Sequence, residues 1–184
     1  MTWIKKLWED TGNLSSRQLF FKYLLPLISI LFTWLFIGKF YLSQVDTNSL
    51  IANKGQVLDF NIRSEQVHND WSKNNTSHTE YPLKITLSNY NFDFRLRGKF
   101  MYDFIKVASE IPKGDTITIY TLSKLQSQLC FSSMTDIYQI DKNGKTIFPM
   151  DGMKHYNLGR AIFPGLISII SLLLYFYYKK GRIT

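Results

Sequence analysis

Only one cysteine, Cys130, occurs in 184 residues. No intramolecular disulfide can staple this chain, so any globular part must be held by an apolar core. Between Leu129 and Phe131, that cysteine reads as a buried small hydrophobe, because neither an activating base nor a lipidation signal accompanies it. Histidine is nearly as scarce, with three, and the chain has no His-Glu-x-x-His, Cys-x-x-Cys, Gly-x-Ser-x-Gly or glycine-rich phosphate loop. These absences remove the common metal, acyl-transfer and nucleotide signatures, so the chain is expected to be non-enzymatic and to need no cofactor. A dispersed Ser/His/Asp site has no fixed spacing and stays open at this level.

Charge is also missing from two long stretches, 23–38 and 161–178. At about 1.5 Å of rise per residue, 18 apolar residues cross most of a hydrocarbon core roughly 30 Å thick. The first stretch is shorter, but Lys22 and Lys39 can reach headgroups while Phe40, Tyr41 and Leu42 lengthen it. Its exit, Ile37-Gly38-Lys39-Phe40-Tyr41, is too bulky for a signal-peptide cleavage site, so a retained helix is expected. The predicted organisation is a cytoplasmic segment 1–22, transmembrane helix 23–42, extracytoplasmic domain 43–159, transmembrane helix 160–178 and cytoplasmic tail 179–184. Neither apolar stretch carries the acidic or basic groups that a proton or ion pathway needs.

The distribution of charge gives the expected orientation. Residues 43–159 hold 13 Lys and Arg against 12 Asp and Glu, so nearly all of the +8 net charge lies outside them. Lys5, Lys6, Arg17 and Lys22 precede the first stretch and Lys179, Lys180 and Arg182 follow the second. The positive-inside rule then places both termini in the cytoplasm of a cell whose inner membrane holds the chain. A basic excess at membrane edges argues for lipid as a partner and against nucleic acid. Trp3, Ile4, Leu7 and Trp8 recur at helical spacing opposite Lys5, Lys6 and Glu9, the pattern of a short helix lying in the interface.

The middle segment alternates with period two, which predicts strands with one buried face. Leu58, Phe60 and Ile62 form one such set, Leu83, Ile85 and Leu87 a second, Phe92, Phe94 and Leu96 a third, and Ile117 and Ile119 a fourth. Ser88–Asn91 and Pro112–Asp115 read as turns, and a last hairpin, 136–140 with 145–148, turns at Asn143-Gly144, which suits positive φ at both positions. Phe100, Phe104 and Val107 at i, i+4, i+7 predict a helix over 100–110, and Ser123 to Leu129 a shorter one. The expected fold class is an α+β membrane protein: two transmembrane helices flanking a small β-rich domain, as a helix-covered sheet or an open barrel.

Three candidate sites stand out. Arg95, Arg97 and Lys99 share the outward side of one strand and are expected to meet an anionic headgroup or an acidic protein partner. Ser29 and Thr33 on the first helix, and Ala161, Gly165 and Ser168 on the second, are expected to let the two helices pack, with Gly38 near Ala161 or Gly165 and Thr33 near Ser168 or Ser171. Residues 64–80 read as a polar surface loop. Two His-x-acid pairs within it, His68 with Asp70 and His78 with Glu80, have the donor types of a divalent metal site, but ordinary loop residues account for them better and no metal is expected.

Lys54-Gly55-Gln56-Val57, Tyr81-Pro82-Leu83-Lys84-Ile85 and the run Pro112-Lys113-Gly114-Asp115-Thr116-Ile117-Thr118-Ile119-Tyr120, all between two spans, resemble a family of small bacterial two-span membrane proteins of unknown function. That resemblance implies a membrane-anchored β domain and no particular activity. The expected role is a binding or accessory protein, of the immunity type that occupies a membrane-active partner or toxin. A small subunit of a larger membrane complex, or an envelope hydrolase or metal-dependent enzyme built on His68 and His78, are the alternatives.

Overall fold

The computed structural model describes residues 19–62, 64–68 and 77–181. Their elements run α1 (Leu25–Gln44), β1 (Ile51–Ile62), β2 (Glu65–His68), β3 (Ser77–Glu80), β4 (Leu83–Leu87), β5 (Asp93–Leu96), α2 (Met101–Glu110), β6 (Thr116–Thr121), α3 (Lys124–Leu129), β7 (Gln139–Lys142), β8 (Lys145–Phe148) and α4 (Asp151–Lys180). The class is α+β, with a six-stranded antiparallel sheet and two helices long and apolar enough to cross a membrane. The chain divides into a barrel unit, Leu42–Tyr156, and a helical unit that holds most of α1 and of α4.

In the helical unit, Pro26 sits one residue into α1, where it lacks an amide hydrogen and would crowd the carbonyl four residues back. The chain meets that demand with a π-turn over Phe20–Leu24, closed by the Leu25 amide donating to the Phe20 carbonyl. With that turn the first helix covers Phe20–Gln44, and α4 runs 30 residues, carrying Pro164 inside it. The helix bearing the second apolar stretch therefore starts well before residue 160, at Asp151.

In the barrel unit, β1 is the long member and pairs twice. Its first half, Ile51–Gln56, lies against β6, and its second half, Val57–Ile62, against β4. Two features let one strand serve both neighbours. A bulge between Val57 and Asp59 adds Leu58 without a partner and bends the strand. Gly55 permits a close approach, since a Cβ there would stand 3.0 Å from the Leu87 Cβ.

The bulge also corrects the expected burial of β1. Leu58, the extra residue, is more than half exposed, and the bulge moves the inward face from Asn53, Gly55 and Val57 to Phe60, which packs on the core; Ile62, the last residue of the strand, is more than half exposed as well. The other sets behave as their periodicity predicts. Leu83, Ile85, Leu87, Phe94, Leu96, Ile117 and Ile119 are all buried, although Phe92 lies ahead of β5 and stays partly exposed. Each fully buried aliphatic side chain contributes about 1.5–3 kcal/mol relative to an exposed one.

The strand order is β5-β4-β1-β6-β7-β8. The segment that leads into β7 turns back on the far edge: the Arg95 amide donates to the Thr135 carbonyl at 2.8 Å, the Ile137 amide donates to the Arg95 carbonyl at 2.9 Å, and Arg95 and Asp136 form a parallel bridge. One stretch, 135–142, therefore touches both β5 and β6 and closes the sheet into a partly open Greek-key barrel of five strands, the OB arrangement, with β8 added outside. The expected strand start at Asp136 moves to Gln139 for the same reason. Asp136 is committed to the closing bridge.

Local signals set the connections. Asn143 (φ 51°) and Gly144 (φ 78°) make the β7–β8 turn, and Gly114 (φ 93°) follows Pro112 and Lys113 in the turn before β6. Ser123 and Gln126 form a reciprocal capping box at the start of α3. On α2, Phe104 and Val107 face the core and Phe100 packs edge-on to Phe148. Residues 64–80 are not simply a loop: β2 and β3 pair antiparallel, Glu65 with Glu80 through His68 with Ser77. Backbone pairing needs no apolar alternation, so a polar ribbon leaves no periodic trace in the sequence.

Candidate functional site

The most concentrated polar chemistry of the barrel unit lies where the barrel closes. The backbone bridge between Arg95 and Asp136 brings the Asp136 carboxylate, fully buried, under two guanidiniums from β5 and the residue after it. Arg95 donates from Nε at 3.1 Å and from Nη2 at 2.9 Å to Oδ1, while Arg97 donates from Nε at 2.9 Å and also from Nη2 to Oδ2. Arg97 further donates from Nη1 to the Tyr156 hydroxyl at 2.9 Å, and its guanidinium lies 5.2 Å from that ring's centroid. Lys99 Nζ lies 4.9 Å from the same ring.

Burial opposes the charge on Arg97, yet Asp136, with Tyr156 beside it, outweighs that effect and raises the guanidinium pKa above its already high ordinary value. A raised pKa on a cation means stability that is fully present below the ordinary value and is lost only above the folded-state value. The contact is therefore insensitive to pH across the physiological range.

This geometry corrects the expectation of a solvated cationic face at Arg95, Arg97 and Lys99. Arg95 and Arg97 have side chains only 26% and 15% exposed and are engaged by one buried carboxylate. They act as a lock on the barrel seam. Lys99 alone is exposed. Chemically the cluster offers two saturated forks on a carboxylate, which suits holding a seam shut and leaves Asp136 no free lone pair for acid–base work. No family model, curated protein or solved structure matches this chain.

Ser29, Thr33 and Ser168 of the helix-packing residues meet within the helical unit. Thr33 Oγ1 lies 2.6 Å from Ser168 Oγ and 2.8 Å from the Ser29 carbonyl, and Ser29 Oγ and the Ser168 carbonyl are 3.5 Å apart. Thr33 thus donates to its own helix while Ser168 donates across. Gly165 takes the Phe36 ring, whose Cδ2 is 3.0 Å from where a Cβ would stand. Gly38 and Ala161 are buried. Phe21 and Tyr178 stack with centroids 4.7 Å apart, joining the opposite ends of the two helices.

Trp3, Ile4, Leu7, Trp8 and Asp70 lie outside the described residues. The backbone register sets His68 against Ser77 and His78 against Val67. Among the described residues, no group of three or more His, Cys, Asp or Glu gathers as metal ligands would.

Sequence reasoning missed Asp136, Tyr156 and Phe131. The only trace of Asp136 is an acid placed directly before the apolar run Ile137-Tyr138. The backbone conformation of Phe131, φ 47°, has no signature in a residue type that favours extended chain.

Proposed function

We propose that this chain is a two-span protein of the cytoplasmic membrane, with both termini in the cytoplasm and the barrel unit on the outer side, where it binds a protein partner without catalysing a reaction. The observation that carries this reading is the outward character of the two apolar helices. Only 11% and 17% of their most apolar windows are buried, while the residues that are buried there include Ser29, Ser168 and Ser171. A core helix of a soluble protein would bury its leucines; these helices bury their serines and turn Leu27, Ile30, Phe163 and Leu173 outward, as lipid-facing helices do.

The distribution of charge supports the orientation, with basic residues beyond the inner ends of both helices and near-balance between the outer ends. The bulged barrel, with exposed Tyr81, Tyr102 and Ile105 on its surface, supports a binding role, since aromatic and aliphatic side chains left in water mark contact surfaces. In its most specific form the role is that of an immunity-type accessory protein occupying a membrane-active partner or toxin.

The orientation is tested by labelling single cysteines at residue 184 and in 69–76 on intact cells and on inverted vesicles. Reaction of the second site from outside and the first only from inside is the expected result. External access at residue 184, or none at 69–76, overturns it.

A further inference from the structure

A surface helix ordinarily turns an apolar stripe to the core and charge to water. The helix α2 departs from that pattern. Phe104 and Val107 face the core, yet its opposite side carries Met101, Tyr102 and Ile105, which are 56%, 91% and 80% exposed. Among the described residues of the barrel unit, no large apolar side chain is more exposed than Tyr102 and Ile105. Met101, Ile105 and Ala108 recur at i, i+4, i+7 with Tyr102 beside them, so at 3.6 residues per turn they fill one continuous arc of roughly 120°. The charged residues of α2, Asp103, Lys106 and Glu110, all fall on one border of that arc.

A second segment widens the arc. Gly98 opens the 3-10 turn Gly98–Phe100 that leads into α2, and a Cβ there would stand 3.3 Å from the Tyr81 nitrogen and 3.4 Å from its carbonyl oxygen. This close approach lays the Tyr81 backbone against the start of α2, and Tyr81 is itself more than half exposed. The apolar side chains thus gather from two parts of the chain, unlike the isolated ones that any surface carries. Because Phe104 and Val107 seat the helix from beneath, the arc is ordered before a partner arrives and little backbone entropy is lost on contact.

The surrounding charge selects the partner. Lys99 and Lys106, three residues before and four after Tyr102, are exposed, as is Lys145. Asp103 and Glu110 are half-buried, and Glu110 already meets Lys145 at 3.2 Å. The charge offered to solvent around the arc is therefore cationic. A twofold dimer through this arc would set amines against amines, whereas a protein surface bearing carboxylates complements it.

We propose that the outward arc of α2 is the docking surface for the protein partner, and that it enters an apolar groove rimmed by carboxylates. Ile105 stands at its centre, Met101 and Tyr102 fill the groove beside it, and Lys106 pairs with an acid on the rim. Tyr102 brings its ring to the apolar floor and its hydroxyl to the polar edge. The inference deepens the binding role proposed above and rests on it.

The test places the photoreactive residue p-benzoylphenylalanine at position 102, 105, 92 or 134 of the full chain, in cells to which the chain is native. Tyr102, Ile105, Phe92 and Met134 are all exposed, so these replacements spare the core. Irradiation is expected to link 102 and 105 to one and the same protein, through a peptide that mass spectrometry shows to be net acidic. Lys106→Glu, combined with the label at 105, is expected to cut that adduct by about tenfold, because like charges set together at an interface cost several kcal/mol. Changing an acid of the mapped peptide to lysine is expected to restore it. An adduct that Lys106→Glu leaves unchanged overturns the inference.

Adducts to another protein from 92 or 134, with none from 102 and 105, overturn the inference and leave the binding role standing. No protein adduct from any of the four positions overturns both. An adduct of twice the chain's mass at 102 and 105 assigns the arc to a second copy, and one that carries a phospholipid assigns it to the bilayer; either overturns the inference.

Discussion

Asp136→Ala should unlatch the barrel. The carboxylate it removes is fully buried and takes hydrogen bonds from two arginines, and the same residue forms the backbone bridge that joins β5 to the segment ahead of β7. Breaking a buried ion pair by deleting one partner costs roughly 3–5 kcal/mol, chiefly because the remaining charge stays uncompensated. Here the low end applies, about 3 kcal/mol, because Arg95 can turn its quarter-exposed guanidinium to water and Arg97 keeps the Tyr156 hydroxyl. Against a total of about 5–15 kcal/mol for a domain, that is a large fraction, and it should lower the melting temperature by roughly 10 °C. Asp136→Asn keeps the volume and one acceptor, so its loss should be smaller, about 2 kcal/mol. Two measurements on the full chain in micelles check the argument: the unfolding midpoint, and hydrogen exchange at the Arg95 and Ile137 amides, whose bonds hold the seam. Faster exchange there, with little change at Ile85 or Ile119 in the centre of the sheet, is the expected signature. If Asp136→Ala costs less than about 0.5 kcal/mol, as a neutral surface change would, and both seam amides stay protected, the lock does not hold the barrel and the reasoning fails.

Other substitutions probe separate parts of the structure. Gly165→Leu should weaken the pairing of α1 with α4, because even its Cβ would meet the Phe36 ring at 3.0 Å, whereas Leu173→Ile on an exposed position should not; paired cysteines at 33 and 168 should crosslink within one chain, and crosslinks only between chains would reassign the contact to oligomerisation. Phe131→Gly should raise stability by about 1 kcal/mol, since glycine adopts the left-handed conformation without the steric cost that a larger residue bears; a lower unfolding midpoint would show that Phe131 packs more than its exposure indicates. Replacing His68, Asp70, His78 and Glu80 together by alanine should leave folding unchanged and release no stoichiometric zinc, measured by elemental analysis of the purified chain.

Much of this structure is written locally in the chain. The uncharged runs 23–38 and 161–178 mark the two long helices because apolar length is a property of consecutive residues. The turns at Asn143-Gly144 and Pro112–Asp115 could be read because their geometry depends on two to four neighbours. Phe100, Phe104 and Val107 announced a helix by spacing alone, and Thr33 could be set against Ser168 because two antiparallel helices offer few registers.

Only the tertiary structure decided the rest. The inward face of β1 changes sides at Leu58, where a bulge is imposed by pairing with β6 on one half and β4 on the other. The cationic row at Arg95 and Arg97 became a lock once chain closure delivered Asp136 from about forty residues away. Phe131 took a glycine's conformation because the hydrogen bonds at the end of α3 demanded it. In each case the deciding interaction joins residues that no local period connects, so periodicity identified which residues could be buried or charged while long-range pairing fixed what they face.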